Sequence, residues 1–317
     1  MTRFTNVVGG AFKFNDDFEM PKVGLGISRI PTQEALDVSV EAALKSGYRL
    51  FDTANLYKNE HYLGNSLKVI LIRYIQADSF RVLQKYLPVF GLTREDVFIT
   101  TKVRTLNDNT VEETEKQLSN SLTSLQTDYI DLLLVHYPRD RDTGHDDDYE
   151  VNKSRRKIVW QTLEKAKESG RVRSIGVSNY EVYHLVEMFE YAKVFPVLNQ
   201  YEYQPYLTRP TLKKFCDLHN IVVQSYSSLC WGDQEILQEE PMVHLCQKYN
   251  QTPQAILYAF AYCSNTSMIP KSATPSRIHD NLRNTIQIQL TEEELKSLRA
   301  LDKGKSFPPI GQTWRCL

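Results

Sequence analysis

The stretch YIDLLLVH, residues 129–136, decides the fold. Its centre, Leu132 to Val135, is apolar at four consecutive positions. A strand with one face in water alternates apolar and polar residues, whereas a strand covered on both faces is apolar throughout. The run therefore predicts a buried strand of a parallel sheet, with His136 as the first polar residue at its carboxyl end.

Seven further short runs rich in apolar and β-branched residues precede and follow this strand. They are VGLG (23–26), YRLFDTA (48–54), VFITTKV (97–103), SIGVSN (174–179), VLNQYE (197–202), IVVQSYSSL (221–229) and SMIPKS (267–272). Between them lie segments with apolar residues at helical spacing, for example Leu118, Leu122 and Leu125. Eight alternating strand and helix units predict a single α/β domain over residues 1–317, folded as a (β/α)8 TIM barrel.

The competing doubly wound fold lacks its nucleotide-binding motif. That motif needs a third glycine after the first strand, but Arg29 stands at this position in GLGISRI (24–30). The segment FKFNDDFEMP (12–21) instead predicts an N-terminal β-hairpin that turns at Asp16 and Asp17 and closes one end of the barrel.

Composition and charge exclude several classes of partner. The 38 Lys and Arg residues against 39 Asp and Glu residues give a net charge of −1, so no broad positive field attracts nucleic acid or an anionic membrane. The five cysteines form no CxxC pair, which favours reduced thiols in the cytoplasm over disulfides or a zinc site. We expect a cytoplasmic protein that binds neither nucleic acid nor membranes and holds no metal.

Polar residues at the carboxyl ends of the predicted strands form the candidate site, because the reacting groups of such barrels lie at this end. They are Asp52, Lys102, His136, Ser178, Asn179, Gln200, Tyr226 and Lys271, with Tyr57 in the loop after Asp52. Singly, each has a structural interpretation: Asp52, for example, could cap a helix. Their occurrence together on successive strands favours a catalytic site.

Four of these residues make a chemically coherent set. A tyrosine such as Tyr57 has an ordinary pKa near 10, so it transfers protons at neutral pH only beside a cation that stabilises the phenolate. Lys102 supplies that cation, and Asp52 supplies the counter-charge that a buried lysine needs. A neutral His136 can donate a hydrogen bond to a carbonyl oxygen and orient it.

Longer motifs around these residues resemble the aldo-keto reductase family. The motifs are GYRLFDTANLYKNEHYLG (47–64), LLLVHYP (132–138), GVSNY (176–180) and IPKSATPSRIHDN (269–281). The resemblance implies a nicotinamide-dependent carbonyl reductase, with Tyr57 as general acid, Lys102 and Asp52 tuning it, and His136 orienting the substrate. It implies an enzyme that reduces aldehydes or ketones to alcohols.

The same resemblance implies the cofactor contacts. Ser178, Asn179 and Gln200 would bind the carboxamide of the nicotinamide, and Tyr226, followed by Ser227 and Leu229, would stack on its ring. The residues implied to hold the adenosine 2′-phosphate are Lys271, Ser272, Arg277 and Asn281. Two cations suit a phosphate dianion, so we expect NADPH rather than NADH.

The chain departs from the family pattern in its substrate pocket. Ser28, Arg104 and Tyr137 stand where many members carry tryptophan, so with His136 they predict a roomier and more polar pocket, suited to an anionic or hydroxylated small-molecule carbonyl substrate.

A second departure is the gap of 50 residues between Asp52 and Lys102, which is longer than the family pattern. Removing the 16 residues Val69 to Gln84 restores the usual spacing, so we interpret this segment as an insertion on the barrel face opposite the active site. A genuine insertion and a retained intron both remain open.

Two functions remain open from the sequence. The first is an enzyme that acts as a monomer on small carbonyl compounds. The second is an NADPH-binding barrel with little turnover that serves as a regulatory or structural subunit.

Overall fold

Eight parallel strands form a barrel in the computed structural model, which describes residues 3–67, 92–106, 110–140 and 148–307. The barrel strands are β3 (Gly24–Gly26), β4 (Leu50–Asp52), β5 (Phe98–Val103), β6 (Ile130–Val135), β7 (Val172–Ser178), β8 (Leu198–Glu202), β9 (Val222–Tyr226) and β10 (Ser267–Met268). They pair in chain order, and a parallel bridge from Val23 to Met268 joins the last strand to the first. The predicted (β/α)8 barrel is confirmed.

Two strands end three or four residues earlier than the sequence runs predicted. The run 267–272 yields only β10 because Pro270 has no N–H group to donate to a neighbouring strand. The run 221–229 ends at Tyr226, since Ser227 adopts a left-handed φ of 54° and turns the chain out of the sheet.

The N-terminal hairpin closes the amino end of the barrel, as predicted. Its antiparallel strands are β1 (Ala11–Lys13) and β2 (Glu19–Pro21), and the turn between them contains Asp17 with a φ of 70°. The hairpin places Phe14 and Met20 in a buried apolar cluster with barrel residues such as Leu132. This cluster seals the bottom of the barrel, so the opening lies at the carboxyl ends of the strands.

Helices follow most strands and cover the outside of the sheet. The helices are Gln33–Ser46, Val111–Leu125, Tyr149–Glu168, Val182–Glu187, Pro210–Leu218, Gln234–Gln238, Glu240–Tyr249, Pro253–Cys263, Pro275–Arg283 and Glu292–Arg299, with helical residues also at 60–67. Their ends follow local chemistry: Thr32 accepts a hydrogen bond from the backbone N–H of Ala35, and Gly47 ends the same helix with a φ of 104°. Among the described residues, no helix has the length and apolar character that crossing a membrane would require.

The two faces of each strand determine which side chains reach the site. On β5, the side chains of Ile99 and Val103 belong to the outer core between the sheet and the helices. The side chain of Phe98 belongs to the inner apolar cluster with Phe14 and Met20. Because side chains alternate along a strand, Lys102 shares the inner face with Phe98. Each strand therefore carries apolar residues deep in the barrel and polar residues at its mouth.

Two sequence predictions are not tested by this fold. The segment Val69 to Gln84 lies outside the described residues. The prediction of a single domain over the whole chain also stays a prediction.

Candidate active site

A cavity of about 650 Å³ opens at the carboxyl ends of the strands. Most of the predicted site residues line it: Ser28, Asp52, Tyr57, His136, Tyr137, Ser178, Asn179, Gln200, Tyr226, Ser227, Leu229 and Lys271. The described lining does not include Lys102, Arg104, Ser272, Arg277 or Asn281. The structure thus brings together side chains from seven of the eight barrel strands or the loops that follow them.

The Lys102 ammonium lies directly behind this lining. The Lys102 side chain is 0% exposed, and its Nζ donates to Asp52 Oδ1 at 2.7 Å, to Asp52 Oδ2 at 2.8 Å and to the carbonyl oxygen of Thr53 at 2.8 Å. Burial lowers the pKa of Lys102, and the negative charge of Asp52 opposes that shift. Because all three N–H groups have acceptors, the cation is held in one position.

Tyr57 lies between this cation and the cavity. It ends the short 3₁₀ turn Asn55–Tyr57 that follows β4, and the Nζ of Lys102 is 5.2 Å from the centroid of its ring. The ring of His136 meets the Tyr57 ring edge to face at a centroid distance of 5.6 Å. A phenol, an imidazole and a buried cation therefore converge on one point of the cavity floor.

Tyr137 stacks on the other side of His136. The two ring centroids are 4.7 Å apart with an interplanar angle of 20°, and Tyr137 is buried in the cavity wall. The main-chain oxygen of His136 accepts a hydrogen bond of 2.9 Å from the side-chain amide of Asn179. These contacts fix the orientation of the imidazole toward Tyr57.

A hydrogen-bond network covers the opposite wall. The Tyr226 hydroxyl donates to Asn179 Oδ1 at 2.6 Å, and the Ser178 hydroxyl donates to the main-chain oxygen of Gln200 at 2.8 Å. Burial raises the pKa of Tyr226 well above its ordinary value, so this phenol stays neutral. Its ring contributes a flat surface to the cavity.

The Gln200 side chain offers one acceptor to a ligand. Its Nε2 donates to Asp52 Oδ2 at 2.8 Å and to Gln224 Oε1 at 2.6 Å, which uses both of its hydrogens. Within the described part of the chain, no hydrogen bond is made to Gln200 Oε1. A primary amide in the cavity can donate to this oxygen.

The residues predicted to bind phosphate lie at the edge of the cavity and beyond it. Lys271 lines the rim and is exposed, and Arg277 is exposed in the first turn of helix Pro275–Arg283. Asn281 is half-buried one turn further along the same helix, and so it shares the face of Arg277. Ser272 is buried, and its hydroxyl accepts a hydrogen bond of 3.0 Å from the backbone N–H of Thr274.

Arg104, predicted as a pocket residue, has an acidic neighbour instead. Its guanidinium lies 3.3 Å from Asp140 Oδ1, and its backbone N–H donates to Gln117 at 2.8 Å. These contacts place the head group away from the described lining, so its part in substrate binding stays a prediction.

Sequence reasoning missed several residues of the cavity. Arg29 and Trp231 lie on opposite loops, where the guanidinium carbon stands 4.6 Å from the indole centroid, and both line the cavity. No sequence signal connects residues so far apart in the chain. Gln224, the hydrogen-bond partner of Gln200, was predictable because it precedes Tyr226 by two residues on β9 and so shares its inward face.

A second cavity of about 670 Å³ opens on the outside of the barrel, near helix Pro210–Leu218. Three of its four basic residues, Lys13, Lys213 and Arg299, each pair with an acidic side chain. The described part of the chain also holds no cluster of three or more His, Cys, Asp or Glu residues that suits a metal ion. The barrel mouth is therefore the candidate active site.

Comparison with known sequences agrees with this geometry. The sequence model of the Aldo/keto reductase family matches residues 20–303. The glyoxal reductase of Bacillus subtilis (strain 168) is 32% identical over 297 residues, which cover 94% of each chain. The methylglyoxal reductase DkgA of Yersinia pestis is 34% identical over 297 residues, again 94% of each chain.

Solved structures show the same similarity. A Bombyx mori aldo-keto reductase crystallised in complex with NADP has a TM-score of 0.80 at 26% identity, and the match covers 96% of both chains. An aldo-keto reductase enzyme from a Medee basin deep-sea metagenome library has a TM-score of 0.76 at 31% identity, covering 93% of this chain and 96% of that one. Because the family model matches residues 20–303 and these relatives are similar over nearly the whole chain, this protein belongs to the aldo/keto reductase family of oxidoreductases.

Proposed function

We propose that this protein uses NADPH to reduce small aldehydes and ketones to alcohols, with Tyr57 as the proton donor. The observation that carries the proposal is the buried ammonium of Lys102, paired with Asp52 and facing the Tyr57 ring from 5.2 Å. A nearby cation lowers the cost of forming a phenolate, and so it makes a phenol a better acid at neutral pH.

The residues of the cavity fit the nicotinamide end of the cofactor. Gln200 Oε1 can accept a hydrogen bond from a carboxamide, Ser178 and Asn179 lie beside it, and the Tyr226 ring offers a stacking surface. Gly26 also lines the cavity, and no side chain fits there because a Cβ atom would stand 2.8 Å from the main-chain oxygen of Ile269. When bound, NADPH supplies the hydride that the reaction requires.

The adenosine end would be held by the cationic rim. Lys271 and Arg277 provide two positive charges that favour a 2′-phosphate over a free hydroxyl, and Asn281 shares the helix face of Arg277. A relative from Bombyx mori was crystallised with NADP, which supports the same cofactor here.

The residues around the reacting carbonyl have separate roles in the reaction. His136 donates a hydrogen bond that orients the carbonyl oxygen, and Tyr57 donates the proton that this oxygen needs as it becomes an alcohol. Lys102 stabilises the phenolate that Tyr57 becomes after it donates its proton. Asp52 keeps Lys102 charged within the buried site.

Small oxoaldehydes are the substrates we propose to test first. Two relatives that match 94% of this chain are named glyoxal reductase and methylglyoxal reductase. The polar Ser28 and the Tyr137 hydroxyl in the cavity wall suit a compact substrate with more than one oxygen.

The test is oxidation of NADPH, followed by its absorbance, with glyoxal, methylglyoxal, propanal and acetone. We expect turnover with the aldehydes and higher kcat/KM with NADPH than with NADH. Tight NADPH binding without turnover on any carbonyl would instead support the subunit function.

The substitution Tyr57→Phe tests the proton donor. Loss of the hydroxyl removes the general acid, so we expect kcat to fall by about two to four orders of magnitude while NADPH affinity is retained. The matched control is Tyr201→Phe, because the buried Tyr201 hydroxyl has no hydrogen-bond partner among the described residues and lies outside the cavity lining. Normal turnover by Tyr57→Phe would refute the proposed mechanism.

A further inference from the structure

A second buried carboxylate lies behind the wall of the cavity. Glu60 begins the helical residues 60–67, three positions after Tyr57, and it is only 5% exposed. Its Oε1 accepts a hydrogen bond of 2.6 Å from the hydroxyl of Thr101. The proposed reaction makes no use of the Glu60 carboxylate.

Glu60 and Lys102 lie on opposite sides of one strand. Side chains alternate along β5, so Lys102 points into the barrel and Thr101 points out toward the helices. The carboxylate of Glu60 therefore reaches the outer face of β5, one residue before the catalytic cation. This arrangement places the group outside the cavity but within electrostatic range of Lys102.

The helix that carries Glu60 is packed too closely to move away. A Cβ atom on Gly64, four residues later, would stand 2.4 Å from the main-chain oxygen of Ser124. The helical residues 60–67 thus lie directly against helix Val111–Leu125. The Glu60 carboxylate is held in place by packing as well as by its hydrogen bond.

Glu60 also lies close to Tyr57 in the chain. Tyr57 ends the 3₁₀ turn Asn55–Tyr57, and Glu60 follows it by three residues, at the start of the helical residues 60–67. The hydrogen bond from Thr101 to Glu60 therefore joins the segment that carries Tyr57 to the strand that carries Lys102. The relative position of Tyr57 and Lys102 depends on this connection.

The titratable groups around Lys102 lie in three directions. Asp52 faces it from β4, Glu60 from the helix side, and the phenol of Tyr137 from the segment after β6. Burial raises the pKa of Glu60, while the Thr101 hydroxyl and the charge of Lys102 oppose that shift. An ionised Glu60 adds to the negative potential that keeps Lys102 protonated.

We propose that Glu60 is a positioning residue of this reaction: it fixes Tyr57 relative to Lys102 and supplies a second negative charge behind the Lys102 ammonium. The inference rests on the proposed function, because it assigns Glu60 a part in proton donation by Tyr57. Removing its charge makes both the Tyr57 phenolate easier to form and the Lys102 ammonium easier to deprotonate. Both changes act in the same direction on the alkaline side of the pH profile.

The experiment compares Glu60→Gln with the unmodified protein over a range of pH. In kcat/KM for methylglyoxal, we expect the loss of activity at alkaline pH to move to lower pH by about 0.5 to 1 unit. Ultraviolet difference titration of each protein against its Tyr57→Phe counterpart measures the ionisation of this one tyrosine among 18. The same shift is expected there, and this readout requires no turnover.

Two further variants separate charge from geometry. Glu60→Asp keeps the charge but shortens the side chain, and Thr101→Val keeps the charge but removes the 2.6 Å hydrogen bond. For both, we expect a lower kcat with the alkaline limb near its original pH. If Glu60→Gln does not fold, an unchanged kcat in Thr101→Val would overturn the positioning role.

The matched control is Glu164→Gln. Glu164 is also 5% exposed, but it accepts hydrogen bonds from the backbone N–H groups of Lys193 and Val194, away from the cavity. We expect lower stability and no shift of the Tyr57 titration. A Tyr57 titration that is the same in Glu60→Gln as in the unmodified protein would overturn the role proposed for Glu60. A shifted titration without turnover in any variant, including the unmodified protein, would support the electrostatic effect of Glu60 but refute the proposed function.

Discussion

At the residue scale, the site depends on a lysine in a place where lysines are seldom found. A fully buried ammonium is tolerated only when paired and hydrogen-bonded, and Lys102 meets this condition with Asp52 and the Thr53 carbonyl. Burial lowers its pKa, so the pair with Asp52 is also what keeps it a cation. Stability and chemistry therefore depend on the same contact.

The substitution Lys102→Met separates these two roles. It leaves Asp52 buried without its counter-charge, so we expect the free energy of unfolding to fall by about 3 to 5 kcal/mol and kcat to fall by about two to four orders of magnitude. Chemical denaturation and NADPH oxidation measure the two effects. The control is the double variant Asp52→Asn with Lys102→Met, which should recover stability and not activity; recovered activity would contradict the proposed role of the cation.

We expect single residues to decide cofactor choice as well. Arg277→Ala removes one of the two exposed cations proposed to bind the 2′-phosphate, so we expect the KM for NADPH to rise about tenfold or more while that for NADH stays unchanged. Arg283→Ala, at the other end of the same helix, is the control. An equal rise for both cofactors would show that Arg277 does not contact the 2′-phosphate.

The grouping of the proposed catalytic residues was predictable from the sequence because they follow a geometric rule. Asp52, Lys102 and His136 end parallel strands, and such ends meet at one mouth of a barrel. The contact of Arg29 with Trp231 and that of Glu60 with Thr101 follow no such rule. They depend on how loops and helices pack against the sheet, which the periodicity of a single sequence does not determine.

At the element scale, the apolar residues that close the barrel lie at its amino end, and the proposed catalytic residues lie at its carboxyl end. The hairpin β1–β2 fills the amino end with Phe14 and Met20, while the loops after the strands build the cavity. Strand positions were predictable from apolar runs, but the carboxyl ends of β9 and β10 were not. Where β10 stops at Met268, the reason is the proline two residues later.

Truncation of the hairpin core tests this division. Phe14→Ala creates a hole in the buried cluster at the bottom of the barrel, so we expect the free energy of unfolding to fall by about 3 to 5 kcal/mol. The kcat of the folded fraction should not change, because the cavity lies at the opposite end. Phe18→Ala, in the same hairpin but 42% exposed, is the control and should cost little; a large loss of kcat in Phe14→Ala would show that the two ends are coupled.

At the scale of the whole molecule, closure of the sheet makes the site a joint property of distant segments. The first barrel strand meets the last through Val23 and Met268, and Gly26 donates its backbone N–H to the main-chain oxygen of Pro270 at 3.0 Å. The cavity wall therefore includes residues from both ends of the matched region 20–303. A substitution that separates the first barrel strand from the last would therefore disrupt the proposed cofactor site before it affected the proposed catalytic residues.

Deletion of Val69 to Gln84, the segment predicted to be an insertion, tests how far the rest of the chain is independent of it. After the segment, Arg94 donates to the main-chain oxygen of Tyr129 at 2.9 Å and pairs with Asp131 at 2.7 Å, at the amino end of β6 and away from the cavity. Loop length has a small effect on folding free energy, so we expect the shortened chain to unfold in a single thermal transition and to keep kcat/KM within about threefold. Adding Tyr57→Phe to the deletion should abolish that activity, which controls for contaminating reductases. A shortened chain that folds and binds NADPH but no longer turns over would show that the segment contributes to the active site.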